Sequence, residues 1–312
     1  MTFSLFFAQI SDIHLSALGD YEEILSGRAA EFLAHTIATL NRLDELDFVL
    51  ITGDLFNSPS GENVAIFQRA IQTLRKPYYI IPGNHDNPGL NSSAGLTRHQ
   101  FARLFNPQAQ NRPSDPTAQN GYWSVTINPQ VQLIGLDSNR DADWGGIIDP
   151  LQVAWLAAEL ETHADKVVIL AAHHPFHRLA PIDDLPQWRN FVCDNGPEML
   201  ALLDRHPQVK LVLTGHHHQT KADLLGRRLH LACPALAVYP CAYRTLRLTP
   251  ATGDNWQLEW QTHSATDEVM IGFAHHKMLR AWAGAGFDLP FVETHAHLAW
   301  GSDWDRAGRV EL

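Results

Sequence analysis

The sequence predicts an α/β fold that is built around a parallel sheet. Apolar β-like runs alternate with helical runs over the first 81 residues, which is the pattern of a β-α-β-α-β unit. Five of the apolar runs are followed within three residues by aspartate, asparagine or histidine. With 312 residues, 45% of them hydrophobic, the chain can bury a large core as one large domain or as two smaller ones.

The first half of the chain supplies the parallel unit. Residues 3–10 are apolar throughout, as in a strand that is buried on both faces. Residues 26–43 and 62–75 place apolar side chains at helical spacing. Residues 48–52 and 78–81 are the second and third predicted strands. Consecutive β-α-β units of this kind predict right-handed crossovers between parallel strands.

An insertion at residues 87–121 interrupts this alternation. It is rich in Asn, Pro, Ser and Gln, and it has a short helical stretch near residues 97–105. A long insertion directly after a polar motif is more often functional than idle, so we expect a rim or a lid over a site. The alternative is a surface excursion, since loops tolerate variation.

The second half predicts both strands and helices. One helix begins near residue 152 and ends near His163, and another begins near Pro197, a favourable first helical position. The predicted strands are residues 122–127, 131–136, 167–172 and 209–214. The first two of these are predicted to form an antiparallel pair. The late strands predicted to complete a second sheet are residues 229–232, 244–248 and 256–261.

The character of the chain changes after residue 262. We predict a main domain at residues 1–262 and an extension at residues 263–312, helical over 267–285 and irregular beyond. The extension is rich in large apolar side chains, which must pack on the core, cover the site or form a homo-oligomer contact. Its His295-Ala296-His297 could be a metal pair, but we favour a structural role because no further ligand motif accompanies it.

Five short motifs carry residues that can bind metals. Strand ends of a parallel sheet meet at one edge, so these motifs could form one site. They mix hard oxygens with imidazole nitrogens, which suits Mn, Fe or Zn and argues against Ca or Mg alone. The motifs are Asp12-Ile13-His14, Gly53-Asp54, Gly83-Asn84-His85-Asp86, His173-His174-Pro175 and Gly215-His216-His217-His218.

In this order the motifs resemble those of the calcineurin-like metallophosphoesterase family. A looser segment at residues 145–156 is similar to its class III cyclic-nucleotide phosphodiesterase branch. The resemblance covers roughly residues 3–248. It implies a four-layer α/β/β/α sandwich of two mixed sheets flanked by helices, and it makes residues 1–262 the catalytic domain.

The resemblance also implies a site with two metal ions, divalent or of mixed valence, bridged by Asp54. The implied ligands of the first ion are Asp12, His14 and His218, and those of the second are Asn84, His173 and His216. His174 is then a neighbour that packs or hydrogen-bonds, and His217 points away from the ions. Asn57 stands where the family often has Asp, as a hydrogen-bonding or a turn residue.

The implied activity is hydrolysis of small phosphodiesters, 3′,5′-cyclic nucleotides among them, by a metal-bound hydroxide that attacks phosphorus. We expect Asn84 and His85 to bind the substrate, His85 to protonate the leaving oxygen, and Asp86 to orient the His85 imidazole. The alternatives are a glycerophosphodiesterase or another small phosphoester or pyrophosphate hydrolase. A non-catalytic scaffold is disfavoured because every ligand position is filled.

Composition narrows the class of partner and the compartment. A net charge of −11 disfavours long nucleic acids, which need a basic surface. The three cysteines form no CxxC pair and predict free thiols. The first residues lack the basic region of a signal peptide, and no apolar run reaches the length of a membrane span. We therefore expect a cytoplasmic enzyme.

Overall fold

The computed structural model describes residues 4–87, 95–105, 121–253 and 255–312. Its strands, in chain order, are β1 (Leu5–Ile10), β2 (Phe48–Ile51), β3 (Tyr78–Ile80), β4 (Trp123–Asn128), β5 (Val131–Gly135), β6 (Val167–Ala171), β7 (Val209–Thr214), β8 (Lys221–Leu225), β9 (Arg228–Ala232), β10 (Ala242–Pro250), β11 (Trp256–Ser264) and β12 (Ala307–Glu311). Its α-helices are α1 (Ala29–Leu40), α2 (Gly61–Ile71), α3 (Arg98–Phe105), α4 (Pro150–Thr162), α5 (Gly196–Asp204), α6 (Glu268–Gly284), α7 (Leu289–Trp300) and α8 (Asp303–Arg306).

The strands form two mixed sheets of six strands each. The first has the order β12-β11-β10-β1-β2-β3, and β1, β2 and β3 are parallel, as predicted. The second has the order β4-β5-β6-β7-β9-β8, and β4 and β5 form the predicted antiparallel pair. Of the late strands predicted for a second sheet, only β9 belongs there. The prediction is wrong for β10 and β11. Strand β10 pairs antiparallel with β1, and β11 pairs antiparallel with β10, so both belong to the first sheet.

Three apolar layers hold the sheets and helices together. Alternation along β1 sends Leu5 and Phe7 into the layer between the sheets, where Phe7 stacks on Phe48 with ring centroids 4.8 Å apart. Ala8 and Ile10 face the layer that α1 and α2 cover. Helices α4 and α5 cover the outer face of the second sheet. The predicted four-layer sandwich is thus confirmed.

Aspartates begin three of the helices. Asp149 accepts hydrogen bonds from the amides of Leu151 and Gln152 at the start of α4, and Pro150 takes the first helical position. Asp267 and Asp288 cap α6 and α7 in the same way. These caps fix where each of the three helices begins.

The extension is more regular than the sequence indicated. Helix α6 matches the predicted helix at 267–285, but the expectation of an irregular remainder is wrong, since α7, α8 and β12 follow. Strand β12 pairs antiparallel with β11 and so forms an edge of the first sheet. The predicted boundary at residue 262 falls inside β11. The functional division into catalytic domain and extension stays a prediction.

The insertion at 87–121 is described at residue 87, at 95–105 and at 121; its other residues lie outside the described part of the chain. Helix α3 matches the helix predicted near residues 97–105, and it buries Phe101 and Phe105 in the core layer of α1 and α2. Within the described residues, no helix joins enough length to enough apolar character to cross a bilayer.

Candidate metal centre

The five motifs meet where the two sheets join. Backbone hydrogen bonds connect them directly: the amide of Asp12 donates to the carbonyl of Gly53 at 3.1 Å, and the amide of His14 donates to that of Asp54 at 2.9 Å. The amide of Gly215 donates to the carbonyl of His173 at 3.0 Å, which joins the loops after β6 and β7. These bonds join loops within each sheet, and the amide of His216 links the two sheets by donating to the Asp12 carboxylate at 3.1 Å. Strand ends from both sheets therefore supply one site.

The backbone of these loops takes an unusual conformation. Five of the seven predicted ligands have a positive φ angle, in the left-handed region that residues with a side chain seldom adopt. Such a conformation costs about 1–3 kcal/mol per residue and is concentrated at functional sites. The strained ligands are Asp12 (φ 53°), His14 (φ 47°), Asp54 (φ 52°), His216 (φ 65°) and His218 (φ 56°).

One group of donor atoms comes from Asp12, His14 and His218. Nε2 of His14 lies 3.0 Å from Nε2 of His218, and Nε2 of His218 lies 3.5 Å from Oδ1 of Asp12. The amide of His216 donates to both oxygens of Asp12 at 3.1 Å, which fixes the carboxylate. Two imidazole nitrogens and one carboxylate oxygen thus converge on a single point.

A second group comes from Asp54, Asn84 and His173. Nε2 of His173 lies 3.1 Å from Oδ1 of Asn84 and 3.3 Å from Oδ2 of Asp54. The same Asp54 oxygen lies 3.5 Å from Nε2 of His14. Asp54 therefore stands between the two groups of donors, where a carboxylate could be shared by two ions.

Glycine makes this close approach possible. A Cβ atom added at Gly83 would overlap the side chain and amide of Asp54, and one added at Gly53 would overlap the ring of His173 and the backbone of Gly83. The Gly-Asp and Gly-Asn-His-Asp motifs thus carry glycine because the two loops pack backbone against side chain.

The donor atoms are arranged to bind metal ions rather than to hydrogen-bond with one another. Nδ1 of His173 donates to the carbonyl of Thr52 at 2.7 Å, so a neutral His173 turns the lone pair of Nε2 towards two oxygen acceptors. Among the described residues, possible metal-binding groups are Asp12-His14-His218, His14-Asp54-His85 and Asp54-His173-His216. Lone pairs that face one another in this way are stabilised by a cation between them.

Electrostatics within the site favour the metal-binding forms of Asp54 and His14, whereas the raised pKa of His173 means that this ring must release a proton to bind an ion. Burial disfavours the charged imidazole of His173, but the Asp54 carboxylate outweighs this and raises the pKa of His173 to about 9. Burial would raise the pKa of Asp54, yet His173 and His85 hold it well below its usual range. Burial lowers the pKa of His14 to about 3. The centre thus keeps its carboxylate ionised and His14 neutral, the forms that bind metals.

The predicted contact between Asp86 and the His85 imidazole is wrong. Oδ1 of Asp86 accepts from the amides of Leu55 and Phe56 at 2.9 and 3.2 Å, and Oδ2 accepts from the amide of Gly83 at 2.8 Å. The fully buried carboxylate is therefore occupied by backbone donors. It ties the Gly83 loop to the Asp54 loop.

His85 is oriented instead by Asn57. Its Nδ1 lies 3.1 Å from the backbone carbonyl of Asn57 and donates to it, and its own amide donates to Oδ1 of Asp54 at 2.9 Å. Nε2 is therefore the atom that His85 offers to the cavity. The sequence indicated Asn57 as a hydrogen-bonding or a turn residue, but it gave no sign that the backbone oxygen would be the acceptor.

His174 and His217 lie beside the predicted ligands and face other partners. Ring nitrogens of His174 lie 2.9 Å from Oγ of Ser138 and 2.9 Å from the carbonyl of Trp144, and burial lowers its pKa to about 3. Nε2 of His217 contacts Oδ1 of Asp183, away from the metal-binding groups, as predicted. His174 thereby fixes the loop that carries Trp144.

The cavity above these donors, of about 280 Å³, has lining residues that the sequence did not reveal. They include Trp144, Trp188, Phe191 and Trp282. His295 also lines the cavity, whereas His297 is exposed, so the HxH of the extension does not form a metal pair. The aromatic residues have no fixed spacing, and only the apolar content of the extension pointed towards them.

A four-layer sandwich that gathers Asp, Asn and His at the joined ends of two mixed sheets defines a metallophosphoesterase. The chain belongs to the calcineurin-like phosphoesterase family, whose sequence model matches residues 7–220. The fold is similar to that of a dimetal phosphatase from Danio rerio, with a TM-score of 0.66 and 13% identity, over 84% of this chain and 97% of that one.

Three relatives are similar over most of their own length. A glycerophosphodiester phosphodiesterase, GpdQ of Enterobacter lignolyticus, is 29% identical, over 68% of this chain and 70% of that one. A 3′,5′-cyclic-nucleotide phosphodiesterase of a Nostoc species is 30% identical, over 68% and 71%. The 3′,5′-cyclic adenosine monophosphate phosphodiesterase CpdA of Escherichia coli is 28% identical, over 74% and 75%.

Proposed function

We propose that this chain is a metal-dependent phosphodiesterase that hydrolyses small phosphodiesters. The observation that carries the proposal is the position of Asp54, whose Oδ2 lies 3.5 Å from Nε2 of His14 and 3.3 Å from Nε2 of His173. One carboxylate between two groups of donors supports a dinuclear centre. The names of the relatives add support for diesters as substrates.

In this proposal Asp12, His14 and His218 would hold one ion, Asn84, His173 and His216 would hold the other, and Asp54 would be shared by both. Two bound ions, with Mn, Fe and Zn as candidates, would neutralise charge on the phosphoryl oxygens and activate water near neutral pH. The two aspartates leave the occupied site positive, which suits an anionic diester despite the net charge of −11.

His85 is the proposed acid. Its Nδ1 hydrogen is engaged by the Asn57 carbonyl, so only a doubly protonated ring carries a hydrogen on the Nε2 atom that faces the cavity. That hydrogen would go to the leaving oxygen. Asn84 would contact the phosphoryl group through its amide nitrogen, since its Oδ1 faces His173. Asp86 is no longer proposed as catalytic, because its oxygens are held by backbone amides.

Two substrate classes follow from the relatives: 3′,5′-cyclic nucleotides and glycerophosphodiesters. Chain loaded separately with Mn²⁺, Fe²⁺ or Zn²⁺ should be assayed on a cyclic nucleotide, a glycerophosphodiester, bis(p-nitrophenyl) phosphate and p-nitrophenyl phosphate. We expect two ions per chain and a higher kcat/KM for diesters than for the monoester. Activity that survives a chelator, or a preference for the monoester, would contradict the proposal. Light scattering of the same samples tests the predicted homo-oligomer.

A further inference from the structure

A second, larger cavity adjoins the catalytic one. Its volume is about 1140 Å³, and its aromatic residues are Trp144, Trp188, Phe191, Phe273, Trp282 and Phe287. We name it the aromatic chamber. Four of these six residues, together with Glu22 and Glu23, line the catalytic cavity as well. A molecule bound at the metal centre can therefore reach into the aromatic chamber.

The extension builds much of the aromatic chamber. Phe273 and Trp282 belong to α6, and Phe287 lies between α6 and α7. All three fall outside residues 7–220, the part that matches the family model. The chamber thus joins side chains of the extension to a site whose ligands come from the family motifs.

The rings of the aromatic chamber are arranged as flat surfaces. Trp188 and Trp282 stack with centroids 4.7 Å apart and planes within 10° of each other. Trp188 is 4% exposed, whereas Trp144 is 52% and Phe273 53% exposed. Exposed aromatic faces beside a stacked pair, of which Trp188 is buried and Trp282 half-buried, mark a binding surface rather than a core. Flat rings prefer to pack on such faces in offset or edge-to-face contacts.

Three polar atoms beside the stacked pair of rings lack a hydrogen-bond partner. Among the described residues, Nε1 of Trp188, Nε1 of Trp282 and Nδ1 of His295 are buried and have no hydrogen-bond partner. Buried donors are normally paired, and the indole N–H can only donate. All three atoms are covered by neighbouring groups, so the flat faces of the exposed rings, and not hydrogen bonding to these atoms, select the ligand of the aromatic chamber.

We propose that the aromatic chamber binds a flat aromatic or heteroaromatic substituent of the phosphoester. This proposal rests on the proposed function, which puts the phosphoryl group in the catalytic cavity. The volume of about 1140 Å³ leaves room for a substituent larger than glycerol, and the six rings that line it favour a flat one. The extension would then act in substrate choice, which the family motifs alone do not determine.

The test measures binding without turnover. Methyl-, cyclohexyl- and phenylphosphonate carry the same anionic head on a carbon–phosphorus bond that a phosphoesterase does not cleave. Calorimetry with the metal-loaded full chain should show phenylphosphonate binding about three- to tenfold more tightly than cyclohexylphosphonate, since the two differ mainly in flatness. Methylphosphonate should bind most weakly. Adenosine as a competitor distinguishes a nucleobase site from a simple aryl site.

Two variants test whether the preference for phenylphosphonate over cyclohexylphosphonate arises in the aromatic chamber. Phe273→Ala and Trp144→Ala should each bring the affinities for phenyl- and cyclohexylphosphonate to within about twofold of each other. The matched control is Val269→Ala, on the same helix and 82% exposed, which should keep the wild-type preference. Two variants are used so that one that fails to fold does not decide the result.

Equal affinity for the phenyl and cyclohexyl ligands in the wild type would overturn the flat-ring class. Equal affinity for all three, or an unchanged preference in both variants, would overturn the aromatic chamber as the binding site. A protein that keeps the preference but hydrolyses no phosphodiester would contradict the proposed function and leave this assignment standing. The two proposals can therefore fail separately.

Discussion

The catalytic cavity has two walls that the chain builds in different ways. The ligand wall, formed by the seven proposed metal ligands, comes from strand ends, is buried except at the half-buried His218, and is polar and fixed by backbone hydrogen bonds. The aromatic wall, formed by Trp144, Trp188, Phe191 and Trp282, comes from loops, a 3₁₀ turn and α6. Phosphoryl chemistry needs donors held to within about 0.5 Å, whereas a substituent can be bound by loops that vary.

Removing the proposed bridging carboxylate of Asp54 should disrupt the ligand wall and cause the largest loss of activity. We expect Asp54→Ala to lower kcat/KM at least about 10³-fold, more than the roughly 10- to 100-fold typical of groups that only support ligands. Both groups of donors lose a shared oxygen, so at least one ion should be lost. Metal analysis of the purified variant checks this, with Asp165→Ala, an exposed aspartate, as the control. Two fully occupied ions in Asp54→Ala would contradict the bridging role.

A loss in the chemical step alone should follow when the ligand wall is left intact. We expect His85→Ala to keep both ions and to lose on the order of 10²–10⁴ in kcat. The loss should shrink for p-nitrophenyl esters, because nitrophenolate leaves without a proton. His35→Ala, in which an exposed histidine of α1 is removed, is the control. Equal losses for good and poor leaving groups would exclude the acid role.

The ligand wall could be predicted because its information is local. Each motif spans two to four residues and follows a strand, so its position is set as soon as the strand is recognised. Adjacent residues in such tight loops nevertheless diverge: His85 turns to the Asn57 carbonyl, while Asp86 turns to the buried amides of Leu55 and Phe56. Sequence adjacency therefore suggested a contact that the loop does not make.

The parts of the structure that the sequence did not predict depend on contacts between residues that are distant in the chain. The apolar pattern of β10 would suit either sheet. The strand joins the first sheet because it pairs with the free edge of β1, for example Leu248 with Leu5. The short sequence of β12, Ala-Gly-Arg-Val-Glu, has no clear alternation because it is a partly exposed edge strand. Trp188 and Trp282 meet only because α6 packs over the 3₁₀ turn at Pro186–Phe191.

Asp86 offers a way to separate rigidity from catalysis in the ligand wall. We expect Asp86→Asn to lower the free energy of unfolding by about 1–3 kcal/mol, since one acceptor oxygen becomes a donor that faces backbone amides. Urea unfolding measures this. The ratio of rates for good and poor leaving groups should stay at the wild-type value. A changed ratio would restore the role of Asp86 in orienting the His85 acid.

The smallest expected effect concerns the attachment of the extension that forms part of the aromatic wall. Asp305 in α8 accepts from the amide of Ala222 in β8 at 2.9 Å, and from the amide and hydroxyl of Ser302 at 2.9 and 2.7 Å. Burial opposes the charged form, but these hydrogen bonds outweigh it and lower the pKa of Asp305. A carboxyl with a lowered folded-state pKa stabilises the fold above its unfolded pKa. That stability is lost as the pH falls through the folded value.

We therefore expect Asp305→Asn to cost about 1 kcal/mol of unfolding free energy near neutral pH. The difference from the wild type should shrink as the pH is lowered towards the acid range, because protonation removes the same charge from the wild type. Urea unfolding at several pH values measures both. Asp303→Asn is the matched control, since Asp303 lies in the same helix with a side chain that is 99% exposed, and it should change little. If the difference in unfolding free energy between Asp305→Asn and the wild type grew on acidification, the charged form of Asp305 would not be what stabilises the contact between α8 and β8.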